Sequence, residues 1–313
     1  MRIQPRYYED FSCIMDKCKH TCCAGWEIDI DDKIYSKYQG LQCAIGKRIR
    51  DNIITDENGH HFILGIDGRC PMLDKNGLCD IIRELGDDWI CDICNLHPRF
   101  INEFEYHTEI GVGLCCPTAA EMVLGDNAEL VREGDENYDL YNVFKLYNGF
   151  EGELFTLRNE IFEILKYNAK DARVLILKAA DAELPVQKLE KMIDILNKAE
   201  RLDPSWEEML GRAASKSVEV DHLLDGEMGG YWVRLVQYFI FRYLAQAADE
   251  FEINDYILFG IVSADIICGI SCALKDEYDS IFDALCDISR GYSAEIEYSS
   301  ENVNIIIEGI YNL

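Results

Sequence analysis

The feature that most constrains this chain is the uneven distribution of its cysteines. Of fourteen cysteines, eleven lie before residue 117, and four of those fall in the stretch CIMDKCKHTCC, which ends at Cys23. The N-terminal MRIQPRYYEDFSC lacks the apolar segment of a secretory signal, so we expect a cytoplasmic location in which thiols stay reduced. Reduced thiols at this density favour a metal site over disulfides.

The charge and hydropathy of the chain argue against two classes of partner. The 313 residues carry a formal net charge of −28, so the surface lacks the excess of cations with which proteins bind nucleic-acid phosphates. The most apolar stretches are interrupted by charges such as Arg234, Arg242 and Asp265, and we therefore expect no membrane span. An acidic, solvated surface favours a protein partner instead.

The fall in cysteine density also indicates the domain organisation. We predict a Cys-rich metal-binding region over 1–125, a linker in the polar stretch GDNAELVREGDENYD (125–139), and a helical bundle domain over 140–313. The expected fold class is mainly α, with a Cys-rich, loop-rich metal-binding N-terminal region packed on a C-terminal helical bundle. A loop-rich region with a small hydrophobic core usually needs an additional cross-link for stability, which a bound metal would supply.

Local patterns predict the elements of the first region. DDKIYSKYQG and AIGKRIRDNI are typical of short helices, and HHFILGI (60–66) of a strand. Asn58-Gly59, Asp67-Gly68 and Asn76-Gly77 indicate turns.

The second region has the three- and four-residue periodicity of helices almost throughout. Asp203-Pro204 has the signature of a helix N-terminus. The stretch YWVRLVQYFIFRYLAQAADEF is apolar nearly all round, which predicts a central buried helix. Arg234 and Arg242 share a face of that helix, where they would line an internal polar pocket or pair with Asp265 and its neighbours.

The cysteine spacings indicate soft ligands without choosing the metal. Cys91 and Cys94 form the single C-x-x-C pair, whereas a zinc ribbon needs two such pairs. Cys18 and Cys22 begin a radical-enzyme spacing, but Gly25 stands where the third cysteine would be. Several soft ligands gathered from separated segments suit either zinc or an iron–sulfur cluster.

Some cysteines have a simpler interpretation as small buried hydrophobic residues. This holds for Cys43, for one member of each adjacent pair, and for the three cysteines in apolar helical patterns at 268, 272 and 286. On a helical turn, Cys18 and Cys22 would share a face and Cys23 would point away from Cys22.

Four segments match a known family in the same order. FSCIMDKCKHTCCAGWEIDIDDKIYSKY, RCPMLDKNGLCDI, CNLHPR and CCPTAAEMVLG resemble the N-terminal half of the flagellin lysine N-methylases, within the CxxCxxCC group of zinc- or iron-chelating proteins. The resemblance covers roughly the first 125 residues. It implies an iron–sulfur cluster of the 4Fe-4S type and methyl transfer from S-adenosylmethionine to lysine side chains of flagellin. The cysteines that match the pattern are Cys13, Cys18, Cys22, Cys23, Cys70, Cys79, Cys94 and Cys116, whereas Cys43, Cys91 and Cys115 stand outside it.

A second resemblance lies near the C-terminus. YSAEIEYSSEN is similar to a family stretch of the form F-S-R-x-x-E-H-N, with which Ser293 and Glu297 agree. Ala294, Tyr298 and Ser299 stand where Arg, His and Asn are usual. If the usual residues handle substrate or cofactor, these changes imply a different substrate or the loss of methylation.

Lysine methylation needs a neutral amine, a methyl donor held in line and a dry pocket. Glu297, Tyr298 and the pair Asp29 and Asp31 offer carboxylates or a hydroxyl that would orient the amine. Each has the competing interpretation of a surface or capping group. The sequence identifies no residues for the methyl donor.

Two functions follow from these observations. The first is a methyltransferase similar to flagellin lysine N-methylase, which would use S-adenosylmethionine and an iron–sulfur cluster to modify flagellin or a similar protein. The second is a non-enzymatic protein in which the cluster, or zinc, only staples an interaction surface or chelates metal.

Overall fold

The chain resolves into two compact units. The computed structural model describes residues 1–14, 17–18, 20–24, 27–65, 68–125, 129–135, 137–184 and 188–313. One unit, here the cysteine unit, is Ser12–Arg99; the other, here the helical unit, is Met1–Phe11 together with Phe100–Leu313. The cysteine unit is therefore inserted into the sequence of the helical unit.

These bounds come from packing, whereas the regions 1–125 and 140–313 came from cysteine density and stay a prediction. Residues 126–128 and 136 of the expected linker lie outside the described residues, as does Ile66 of the expected strand 60–66 and Asp67 of one expected turn.

The described residues form six strands in two sheets. They are β1 (Arg2–Pro5), β2 (Ile53–Asp56), β3 (Gly59–Phe62), β4 (Arg99–Glu103), β5 (Thr108–Val112) and β6 (Leu130–Arg132). The four-stranded sheet has the order β4-β5-β1-β6, with β1 parallel to β5 and antiparallel to β6. Strands β2 and β3 form a hairpin, whose turn ends at Gly59 with a φ of 122° that favours glycine.

Helices make up most of the described chain, which confirms the mainly α fold class with a C-terminal helical region. The cysteine unit contains α1 (Asp32–Gly40), α2 (Ala44–Asp51), α3 (Asp80–Leu85) and α4 (Asp92–Leu96). The helical unit contains α5 (Pro117–Gly125), α6 (Tyr141–Phe144), α7 (Gly149–Ile164), α8 (Ala169–Ala179), α9 (Leu189–Leu196), α10 (Pro204–Ala214), α11 (Glu227–Tyr243), α12 (Glu250–Leu274), α13 (Ile281–Tyr292) and α14 (Ser300–Ile310).

Local chemistry explains where several helices begin. Asp203 accepts a hydrogen bond from the Ser205 N–H, and Pro204 follows at the first helical position, as predicted. Asp31 caps α1 by accepting a hydrogen bond from the Ile34 N–H at 3.0 Å. Helices α1 and α2 confirm the two short helices that the sequence predicted near residue 40.

The cysteine unit has a small core of its own. Isoleucines from α1, α2 and the segment before α1 pack with Tyr38, Phe62 and Met72. The same core includes Cys70 and Cys91, so thiols replace part of the apolar side chains that a unit of this size would normally bury.

The helical unit is built around α11 and α12, which are buried along most of their length. Asp265 of α12 is fully buried, and it pairs with Arg173 at 3.2 Å and accepts from the Trp232 indole at 2.7 Å. Asp265 thus binds side chains of α8 and α11, whereas the expected partner Arg242 pairs with Glu297.

One helix in the described residues, Glu250–Glu277, is long and apolar enough to cross a membrane by length and composition. Its most apolar window has a mean hydropathy of 2.2, but 89% of that window is buried inside the protein. Such burial is the pattern of a core helix, and the cytoplasmic location stays a prediction.

Candidate metal centre and buried carboxylate site

Six cysteines from three stretches of the cysteine unit are held close together by packing and electrostatic coupling. We call them the thiol cluster, and they are Cys22, Cys23, Cys70, Cys79, Cys91 and Cys94. Cys70 and Cys91 are buried, Cys22 is exposed, and the others are half-buried. The cluster therefore combines a desolvated interior with an accessible edge.

Backbone pairing brings the first two stretches together. The Cys70 N–H donates to the Cys23 carbonyl at 2.8 Å, and Ala24 forms a β-bridge with Arg69. Within RCPMLDKNGLC the chain turns at Gly77, where φ is 82°, and a bridge between Leu73 and Cys79 closes the loop. A tight turn thus places Cys79 on the same side of the core as Cys70.

Short helices position the remaining thiols. Cys79 immediately precedes α3, and Cys91 immediately precedes α4, which also carries Cys94. Burial raises the pKa of Cys79, while the N–H groups of Ile81 and Ile82 act in the opposite direction by stabilising its thiolate. Amides aimed at sulfur are a common feature of thiolate metal sites.

The adjacent pair at the start of the cluster differs from expectation. Cys22 and Cys23 lie outside any helix, and their Sγ atoms are 3.9 Å apart. Helical geometry would have turned Cys23 away from Cys22, but the bend in this segment lets both sulfurs face each other.

The sulfurs oppose ionisation of one another. Burial raises the pKa of Cys70 to about 11, and Cys79 and Cys91 add to the effect. The hydrogen bond with Cys91 and burial raise the pKa of Cys94 well above its ordinary value, while that same bond lowers the pKa of Cys91. Because adjacent thiolates repel, several of them ionise together only when a cation binds between them.

A cationic side chain, Arg48, lies near the cluster. Arg48 of α2 forms an ion pair with Asp80 and donates to the Pro71 carbonyl at 2.5 Å. Its charge opposes part of the rise in the pKa of Cys70 that burial causes. Sequence reasoning missed Arg48, because no local signal connects residue 48 with a cysteine at residue 70.

The eight cysteines of the family pattern occupy different places. Five of them belong to the thiol cluster, while Cys13 is exposed and Cys18 half-buried on the preceding segment. Cys116 belongs to the helical unit, where it packs against the main core. Cys91 lies inside the cluster although the family pattern omits it, and its C-x-x-C spacing with Cys94 was the signal that pointed to it.

A second group of chemically reactive side chains lies in the helical unit, around Glu297. A short π-helix, Ser293–Glu297, joins α13 to α14 and turns the Glu297 carboxylate into the core. Its Oε2 atom accepts from Tyr238 at 2.9 Å and from Tyr243 at 3.1 Å, and pairs with Arg242 at 3.1 Å. Its buried Oε1 atom has no hydrogen-bond partner among the described atoms.

Aromatic rings surround the cation of this pair. The Arg242 guanidinium lies 5.0 Å from the ring centre of Phe100, 5.3 Å from Tyr243 and 5.6 Å from Tyr298. The Cys115 thiol donates to the Tyr298 hydroxyl at 3.1 Å. Burial raises the pKa of Tyr298, and neighbouring Cys115 raises it further, so this hydroxyl stays protonated at neutral pH.

The structure separates the four catalytic candidates. Glu297 and Tyr298 lie together in the helical unit. The internal polar site that the sequence predicted around Arg242 is formed by its ion pair with Glu297 and by the tyrosines that bind the same carboxylate. Asp31 is a capping group that also accepts from the Asp92 N–H at 3.0 Å, and these hydrogen bonds lower its pKa despite the opposing effect of partial burial. Asp29 lies beside Glu27 and His61.

The residues present fit a thiolate-bound metal. Half-buried and buried cysteines share one small apolar core, and peptide N–H groups and Arg48 favour their ionised form. Because neighbouring thiolates repel, their joint ionisation calls for a cation. The class of protein so defined is a mainly α protein with a cysteine-rich candidate metal centre.

Part of this chain is similar in sequence to curated proteins from Salmonella. The chain is 26% identical over 150 residues to the flagellar biosynthetic protein FliU of Salmonella muenchen, spanning 46% of this chain and 89% of that protein. Over 129 residues it is 29% and 26% identical to proteins named lysine-N-methylase from Salmonella choleraesuis and Salmonella typhimurium. Those matches span 39% of this chain and only 32% of each methylase.

No family model matches the chain, and no solved structure matches it. The similarities relate part of this chain to lysine-methylase-like proteins at low identity.

Proposed function

We propose that the protein is a protein-lysine N-methyltransferase that uses S-adenosylmethionine to modify flagellin or a similar protein. The observation that carries the proposal is the similarity to two proteins named lysine-N-methylase together with the thiol cluster. The name of the third relative, a flagellar biosynthetic protein, supports a flagellar protein as substrate.

The thiol cluster would hold an iron–sulfur cluster of the 4Fe-4S type, with zinc as the alternative. A metal group bound there would neutralise the thiolates and tie their segments together. Cys23, Cys70, Cys79, Cys91 and Cys94 are the residues that would provide its ligands or line it, since they share the core of the cysteine unit.

In the transfer itself, the lysine nitrogen forms a bond to the methyl carbon while the sulfur–carbon bond of the donor breaks. The methylated ammonium must then lose a proton. The Glu297 carboxylate, with Oε1 unpartnered in the described structure, would orient the amine, and Tyr298 would hold it from the accessible side.

One observation favours the non-enzymatic alternative. The Glu297 side chain has no exposed surface, and Arg242 already occupies the position of a cation beside it. A substrate amine would need an opening to reach the buried Oε1 atom, whereas a purely structural ion pair would need none.

Two measurements test the proposal. Anaerobic purification followed by iron, sulfide and zinc analysis and a visible absorption spectrum identifies the metal. Iron with a thiolate-to-iron absorption band is expected, and a colourless protein with stoichiometric zinc would overturn the iron–sulfur assignment.

The metal-loaded protein is then incubated with labelled S-adenosylmethionine and flagellin, with flagellin whose lysines are acetylated as the matched control. Label on lysine in the first sample alone is expected. Loaded protein that neither binds the donor nor transfers label would favour the metal-stapled alternative.

A further inference from the structure

The cysteine unit contains a second group of ligand-type side chains, and none of them is a cysteine. One potential ligand atom from each of Glu27, Asp29 and His61 lies within 4.8 Å of the other two. Asp56 also contacts the buried member of this group, with its Oδ2 atom 3.5 Å from His61 Nε2. We call these four residues the imidazole–carboxylate site.

His61 is the buried member of the site. It lies on β3, only 8% of its surface is exposed, and within the described chain its ring forms no hydrogen bond. Its Nε2 atom is directed at carboxylates, 3.5 Å from Asp56 and 4.0 Å from Glu27. A mostly buried imidazole whose nitrogen faces two carboxylates suits a cation held between these groups.

The carboxylates around His61 also have no lysine or arginine partner in the part of the chain that the structure describes. Within the described residues, neither Glu27, Asp29 nor Asp56 forms an ion pair with a lysine or arginine. Other carboxylates of this unit are paired, such as Asp74 with Arg83 at 2.9 Å. Three negative groups converging on one imidazole, in a chain of net charge −28, therefore attract a cation strongly.

The backbone holds this arrangement in place. Asp29 forms a β-bridge with His61. On either side, the Ile30 N–H donates to the His60 carbonyl at 2.7 Å and the Phe62 N–H donates to the Ile28 carbonyl at 3.1 Å. Strand pairing thus fixes the positions of His61 and Asp29 relative to each other.

We propose that the imidazole–carboxylate site binds a first-row divalent cation such as Zn²⁺ or Mn²⁺. One nitrogen and three oxygens are donors that suit these ions better than Ca²⁺, which takes oxygen ligands. In a tetrahedral site with metal–ligand bonds of about 2.0–2.2 Å, neighbouring ligand atoms lie about 3.4 Å apart. The exposed side chains of Glu27 and Asp29 would therefore close in by up to about 1 to 1.5 Å around a bound ion.

Such an ion would connect the segment 27–29, which follows the Cys22–Cys23 pair, to the β2–β3 hairpin. The site is independent of the proposed function, because it uses no residue of the thiol cluster or of the Glu297 network.

The test uses the full-length protein after dialysis against a mild chelator, which removes divalent ions held by oxygen and nitrogen ligands and leaves thiolate-bound metal in place. Mn²⁺ is titrated in about 0.5 M KCl, which screens non-specific attraction to the acidic surface, and unbound Mn²⁺ is followed by electron paramagnetic resonance. Mn²⁺ is chosen because thiolates bind it poorly. The wild-type chain should take up a single tightly bound Mn²⁺.

Two variants and a matched control decide the result. His61→Ala and the isosteric Asp29→Asn should each weaken uptake at least about tenfold. His60→Ala should bind like the wild type, because His60 instead stacks on Tyr35 and contacts the Thr55 hydroxyl. Circular dichroism confirms that each variant is folded. Equal uptake by all variants, or no tight uptake by the wild type, would overturn the proposal.

Discussion

At the scale of single residues, Cys91 is a candidate metal ligand that the family pattern omits and the structure places in the thiol cluster. Cys91 is 1% exposed, a hydrogen bond with the Cys94 thiol lowers its pKa, and the Tyr38 hydroxyl lies 3.9 Å from its sulfur. These surroundings suit a sulfur that either binds a metal or contacts a metal-binding cysteine.

We therefore expect Cys91→Ser to weaken metal binding by more than about tenfold. Cys43→Ser is the matched control: Cys43 is exposed in the same unit and precedes α2, where serine is a favourable cap. Metal per chain, measured after anaerobic purification and gel filtration, should fall only in the first variant. Equal metal content in both would show that Cys91 is merely a buried hydrophobic residue.

Tyr298 offers a test of the proposed transferase that leaves the fold intact. Tyr298→Phe keeps the ring beside Arg242 and removes the hydroxyl that receives the Cys115 hydrogen bond. If the hydroxyl holds the amine, label transfer should fall about a hundredfold. Tyr311→Phe, which removes an exposed hydroxyl bonded to Asp255, should transfer label normally. Identical rates would assign Tyr298 to structure only.

The buried pair of Glu109 and Arg158 predicts an acid-sensitive step in stability. Burial alone would raise the pKa of Glu109, but Arg158, at 2.8 Å, and His107 hold it below its ordinary value of 4.5. Because the folded pKa is the lower one, the stabilisation is complete above about pH 4.5 and is lost as pH falls through the folded value.

Denaturant unfolding of the wild type between pH 6 and pH 3 should show this loss. Glu109→Gln should be less stable at neutral pH, because it leaves the Arg158 charge unpaired, and its stability should change less with acid. Glu133→Gln, an exposed partner of Arg2, is the control and should follow the wild type. Parallel curves for wild type and Glu109→Gln would contradict the assignment.

At the scale of elements, the contact between α14 and α9 tests how closely the helical unit is packed. A Cβ on Gly309 would overlap Ile195 Cγ2 and lie 3.0 Å from its Cγ1. Gly309→Ala should therefore lower the free energy of unfolding by about 1–3 kcal/mol.

The matched control is Gly211→Ala on α10. Nothing lies within 4 Å of a Cβ at that position. Alanine should raise stability there by about 0.5–1 kcal/mol, because glycine is a poor helix former. Urea unfolding followed by circular dichroism measures both changes. If Gly309→Ala leaves the free energy of unfolding unchanged, α14 can shift to accommodate the added methyl group.

Elements were predictable wherever the signal was local. The apolar periodicity of the helices and the Asp203-Pro204 cap required only neighbouring residues, and both were confirmed. The sheet β4-β5-β1-β6 was missed, because β1 pairs with strands more than a hundred residues later in the chain. Its strands are only three to five residues long, too short for a clear alternation of side chains.

The same limit applies to the sites. The cysteines of the thiol cluster were visible in the sequence, but their grouping depends on the hydrogen bond between Cys70 and Cys23 and on the turn at Gly77. Arg242 and Glu297 were both noticed, yet their pairing depends on how α11 and the π-helix pack. The partners of a buried charge are a property of the tertiary structure.

At the scale of the whole molecule, the two units differ greatly in the size of their cores. The cysteine unit buries a single small cluster of hydrophobic residues, whereas the helical unit buries most of α11, α12 and their neighbours. A small core depends more on a metal for its stability.

Removing the metal from the full-length protein, with an oxidant and a chelator, should therefore expose the cysteine unit to protease. Limited proteolysis with mass spectrometry should show cleavages within Ser12–Arg99, while Phe100–Leu313 persists as a resistant fragment. The untreated protein in the same buffer is the control. Equal resistance of both units after metal removal would mean that the cysteine unit is stable without a metal.

The insertion of Ser12–Arg99 between β1 and β4 has a consequence for biosynthesis. A ribosome finishes β1 first, but the neighbours that complete its sheet, β5 and β6, emerge more than a hundred residues later. At about 5–20 residues per second this delay lasts several seconds. During that interval the whole cysteine unit leaves the exit tunnel while its host still lacks most of its helices. The nascent chain thus presents its thiols to the cellular metal supply before the rest of the protein exists.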